Sequence, residues 1–254
     1  MHGMPEKQPV LIIACAIFRD ALHALIENGT ASVIVMDYGL HLTPQKMKDA
    51  IQAHIDGLDR PHLVLIGYGL CGNGLVGVQS RRHTLVIPRV DDCIALFLGS
   101  RAAYLRAFQE NPATYYLTPG WLECGGEPWS SFQECSAKYG PDKAGWIADA
   151  MYQHYRKLCF VAFSPEELAR YRPRALQVAG FCRERWNWQY EERTGSDELL
   201  RRLIGVGTGP AAIPGSGDDF VVVGPGREVR QEFFMPSQKV LQEEPGPCTT
   251  FTIK

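Results

Sequence analysis

No stretch of this 254-residue sequence approaches the roughly 20 consecutive apolar residues of a membrane-crossing helix. Nor is there a long basic block: Lys and Arg are scattered and the formal net charge is -2. The first absence excludes a spanning segment, the second the electrostatic footprint of a protein that binds nucleic acid or an anionic membrane. The opening "MHGMPEKQPVLIIACAIFRD" has a short apolar run but no charged leader and no clear cleavage site, so the expectation is a cytoplasmic protein. The expected partner is a small-molecule substrate or another protein.

Two further absences concern chemistry. No two of the eight cysteines have C-x-x-C spacing, the usual signal of a zinc ribbon or a dithiol redox centre. In a reducing compartment their wide spacing also argues against a disulfide framework. The Lys-Ser/Thr pair of a phosphate loop is missing too, so the glycine-rich "GYGLCGNGL" is not read as a nucleotide fingerprint, and a generic anion nest stays open.

What is present is a globular composition, 45% hydrophobic and 21% charged, in a chain long enough to bury a sizeable core. Short apolar runs at 9–16, 31–38, 62–69, 83–90 and 113–120 read as buried strands. Helical stretches separate them: "FRDALHALIENG", closed by Gly29, and "TPQKMKDAIQAHIDG", with Thr43 as cap and Pro44 at the first helical position.

This alternation implies an α/β fold, a mainly parallel sheet with helices on both faces and a ligand crevice at the carboxyl ends of the strands. The second half adds a strand at 157–163, a helix opened by Ser164 and Glu167 as a capping box and broken or kinked at Pro173, a helix at 196–206 and a last strand "FVVVG". One domain over 1–254 is the simplest organisation. The alternative is two packed lobes, about 1–125 and 126–234, with a loosely held C-terminal tail.

The residues that follow each strand are the ones to inspect. They are Cys15 after the first, Asp37, Tyr38 and His41 after the second, Cys71 after the third, Asp91, Asp92 and Cys93 after the fourth, and Trp121 and Cys124 after the fifth. Four cysteines at one edge of one sheet suggest a metal centre on Cys71, Cys93 and Cys124, with Cys15 or His41 as fourth ligand. Cys93, and Cys71 with it, would open a helix, whose unpaired amides favour the thiolate.

His41 and Asp92 are candidate acid–base groups, although an acid before a helix also serves its N-terminus. Gly72 and Gly74 allow close approach of a cofactor or ligand, and Trp121 either stacks on a flat substrate or fills the core. Cys159 and Cys182, inside predicted elements, read as small buried hydrophobes.

"GLCGNG", "DDCIALFLGS", "LTPGW", Cys15 and the His41–Pro44 segment together resemble an uncharacterised family, domain of unknown function 1638. Its form after the first strand is closer to Cys-Gly, whereas here Ala16 follows Cys15. The resemblance implies a place beside corrinoid-dependent methyl transfer and other one-carbon systems, with a corrinoid or methyltransferase protein as partner.

The reading is therefore a metal-dependent enzyme acting on a small molecule, its cofactor zinc or an iron–sulfur cluster. A non-catalytic binding protein using the same crevice is the alternative. A metal-free enzyme with Cys71 as nucleophile and His41 as base is the third reading.

Overall fold

A computed structural model describes residues 8–26, 29–208 and 219–235. Five strands form the first sheet, in the order β2-β1-β3-β4-β8: β1 (Val10–Cys15), β2 (Ser32–Met36), β3 (Leu63–Gly67), β4 (Thr84–Pro88) and β8 (Phe220–Val223). All neighbours are parallel except β4 and β8, which run antiparallel from Leu85 opposite Val223 to Pro88 opposite Phe220. β1 and β3 are buried along their whole length, as expected of strands covered on both faces.

Strands β5 (Thr114–Leu117), β6 (Lys157–Ala162) and β7 (Gln189–Thr194) form a second, wholly parallel sheet in that order. The fifth strand therefore does not extend the first sheet. The sequence places it beside the other four on pattern alone, and a short apolar run carries no information on which sheet it joins.

Around the first sheet lie α1 (Arg19–Leu25), α2 (Pro44–Asp56), the single turn α3 (Ile94–Phe97) and α4 (Arg101–Glu110). The second carries α5 (Pro119–Cys124), α6 (Pro128–Tyr139), α7 (Pro141–Tyr152) and α8 (Pro165–Trp186). α9 (Glu198–Thr208) returns to the first sheet and packs on β1, β3 and β4 through Leu199, Leu200, Leu203 and Ile204, all buried.

α8 runs through Pro173 without ending there. The expected break does not occur because the helix is secured at both ends and along one face. Ser164 Oγ accepts from the amide of Glu167, the Glu167 carboxylate accepts from the amide of Phe163 at 2.8 Å, and Asn187 closes the helix in a left-handed conformation. Leu168, Ala175, Val178, Ala179 and Cys182 are buried, and that packing outweighs one missing backbone hydrogen bond. Thr43 stands at the N-cap of α2 with Pro44 in the first turn, yet its side chain makes no capping bond.

Among the described residues no helix is long and apolar enough to cross a membrane. The C-terminal tail, with Cys248, lies outside the described residues.

Candidate functional site

In the first sheet the strand order reverses between β1 and β3, and a crevice opens beyond the carboxyl ends of strands at such a reversal. Cys15 is the last residue of β1, and Cys71 lies in the turn beyond β3. That turn is tied to the segment after β4 by two backbone bonds of 2.9 Å, Leu70 N–H to the Val90 carbonyl and Cys71 N–H to that of Asp91.

Gly69 makes this possible: a Cβ there would stand 2.5 Å from the carbonyl carbon of Asp92, closer than real Cβ atoms come. The approach carries Cys71 against Cys93. Cys71 itself has φ of 45°, a left-handed conformation uncommon outside glycine, and Gly72 and Asn73 follow it at 65° and 68°.

Cys15, Cys71 and Cys93 line one cavity of about 390 Å³ with Tyr68, Gly72 and Asp92. The cavity lies between the sheets, since β5 contributes Thr114, Tyr115 and Tyr116 and α5 contributes Trp121. The hydroxyl of Tyr68, a residue only 1% exposed, makes no hydrogen bond of ordinary geometry and faces the three thiols, Cys15 foremost.

Burial pushes the Cys15 thiol up to about 11, with nearby Cys71 adding to the effect. Cys93 is raised well above the ordinary thiol range, first by its contact with Cys71 and then by burial. The expectation that helix amides favour the Cys93 thiolate is therefore corrected. α3 is a single turn, too short to outweigh burial and a neighbouring sulfur.

No helix starts at Cys71 either: residues 71–77 are a run of turns. Gly67, Gly69 and Gly72 do have the G-x-G-x-x-G spacing of a dinucleotide fingerprint, directly after a strand. The helix whose N-terminus would meet the pyrophosphate is missing, so the mechanism behind that motif is not built here.

Asp92 has two partners on opposite oxygens. Oδ1 accepts from the amide of Ile94 at 2.8 Å, securing the start of α3, and Oδ2 accepts from the Tyr104 hydroxyl at 2.8 Å. Burial raises its carboxyl above the usual range. Asp91 is exposed.

The remaining candidates are placed elsewhere or only in part. Cys124, at the end of α5, does not line the cavity: its carbonyl accepts from the Tyr38 hydroxyl at 2.5 Å. Gly74 faces α2, where a Cβ would stand 2.3 Å from Met47 Cε. His41 lies in the 3-10 turn Tyr38–Leu42 that precedes α2, and its side chain lies outside the described residues. Cys159 and Cys182 are fully buried and take no part.

As they stand, no three or more His, Cys, Asp or Glu side chains among the described residues are grouped so as to hold a metal ion. The sequence reading missed the aromatic wall of the cavity, Tyr104, Phe108, Tyr115, Tyr116 and Tyr155, because these residues fall inside a helix, a strand and a turn rather than at strand ends.

The family described as "Protein of unknown function (DUF1638)" matches residues 35–204, more than half of the chain. Cys15 and β8 lie outside the match. No curated protein and no solved structure matches.

Proposed function

We propose, for a chain that belongs to the DUF1638 family, that it is an enzyme acting on a small molecule at the cavity between its sheets. In this proposal Cys15, Cys71 and Cys93 hold a soft metal, zinc or an iron–sulfur cluster. The observation that carries the reading is the convergence of three thiols, one from each of the β1, β3 and β4 ends, on a single cavity.

The protons on Cys15 and Cys93 are costly to remove, the first thiol being raised by burial and the second by its contact with Cys71 and by burial. A bound cation would reverse that cost, because thiolates are its ligands. Binding asks the sulfurs to close in from their present positions. Three protein ligands would leave a position open to substrate, where a metal acts as Lewis acid. Asp92, hydrogen-bonded to Tyr104, stands by to hold or move a proton.

The test is metal content and visible spectrum of protein purified without oxygen. Cys15→Ser, Cys71→Ser and Cys93→Ser are expected to lose the metal while folded, and Cys124→Ser to keep it. A parent protein that carries no metal and takes none up on reconstitution would end the reading.

One observation favours a second reading. The left-handed conformation at Cys71 resembles the strained turn that presents a nucleophile, and Cys71 faces the same cavity. In that case stoichiometric alkylation falls on Cys71 first, and blocks activity with no metal present.

A further inference from the structure

The cavity is electrostatically one-sided. Among the described residues its lining has a single ionisable carboxyl, that of Asp92, three thiols, and no Lys, Arg or His. Besides Tyr68, six aromatic residues line it: Tyr104, Phe108, Tyr115, Tyr116, Trp121 and Tyr155.

Ring faces are electron-rich and attract cations, indole most strongly. An anionic ligand would find no positive partner here and would meet a carboxyl and sulfur. A neutral apolar ligand would fill the space without answering Asp92. Alkylated ammonium groups have few or no N–H donors, so they give up less hydration on entering an aromatic enclosure than a primary ammonium does.

We propose that the cavity binds a compact organic cation, a quaternary or otherwise alkylated ammonium group, seated among the rings of Tyr104, Tyr116 and Trp121 with Asp92 as its counter-charge. This rests on the reading of the cavity as the substrate site and not on the metal. The two are compatible in charge, since a divalent ion on three thiolates is still net negative. The Tyr104 hydroxyl already donates to Asp92 at 2.8 Å, which holds that ring at the carboxyl.

The test is calorimetric titration of the full chain with choline and tetramethylammonium, set against 3,3-dimethylbutan-1-ol, which has the shape of choline without its charge. Saturable binding of the cations is expected, with the neutral isostere at least tenfold weaker. Asp92→Asn and Tyr116→Leu should each weaken choline at least fivefold while circular dichroism is unchanged. Should Asp92→Asn disturb α3, Tyr116→Leu, on β5, gives the answer alone.

Equal binding of choline and its isostere, or no binding of either cation, overturns the proposal. The double variant Cys71→Ser/Cys93→Ser separates it from the metal reading. Cation binding that survives there without metal upholds the ammonium site, whereas metal retained by a parent that binds no cation upholds only the metal.

Discussion

Gly69 and Asp92 touch backbone to backbone, so closely that one added carbon on Gly69 would lie 2.5 Å from the Asp92 carbonyl carbon. This contact sets the spacing between the two loops that carry Cys71 and Cys93. Gly69→Ala should cost about 1 to 3 kcal/mol by overpacking, read as a lower urea midpoint. If Cys71 and Cys93 hold a metal as proposed, the variant should also weaken its retention, since the loops must part. A variant as stable as the parent would show that the loops yield freely.

The Cys15 thiol gives a pH prediction for the metal-free protein. Its folded value is about 11 against an ordinary 9.0, so the folded state keeps a proton that the unfolded chain releases. The stability tied to that proton is full below pH 9 and is lost as pH rises through 11, a change of about 2 to 3 kcal/mol. Cys15→Ala should flatten the fall in urea midpoint across that range relative to the parent. Parallel curves for the two would mean that burial does not act on this group.

Glu127 is fully buried and accepts from the amides of Trp129 and Ser130 at 2.7 and 3.1 Å, from Ser130 Oγ, and from Arg174 at 3.0 Å. It caps α6 and joins it to α8. Glu127→Ala removes cap and ion pair together and should cost about 2 to 4 kcal/mol in chemical denaturation. A loss under about 1 kcal/mol would mean that water replaces these contacts.

Cys159→Ser and Cys182→Ser each put a hydroxyl where a fully buried thiol sat. Each should lower stability by about 1 to 3 kcal/mol and leave metal content and cation binding unchanged. Loss of either ligand from a folded Cys182→Ser variant would bring the second sheet's core into the site.

Much of the architecture can be read from the sequence. β1, β3 and β4 are continuous apolar runs, because strands buried on both faces carry no polar alternation. β7 is not legible, since "QYEERT" is polar. Its charges are matched by tertiary partners, Lys157 to Glu191 and Arg172 to Glu192.

α6 and α7 also escape a periodicity reading, although Glu127-Pro128 and Gly140-Pro141 mark their starts. That Cys15, Cys71 and Cys93 share one cavity is legible because the end of a strand is a local property. That Cys124 follows a strand of the other sheet is not, because membership of a sheet is not local. The aromatic wall depends on how two sheets face each other, which no linear pattern encodes.

The antiparallel pairing of β4 with β8 also has a consequence during synthesis. Residues 85–88 and 220–223 are partners, so the flank of β4 is bare until the end of the described chain has been made. Until then an apolar strand offers an open row of amides and carbonyls, the template for intermolecular pairing. Chains stopped short of Phe220 should therefore collect as aggregates even with the three thiols and the whole second sheet in place.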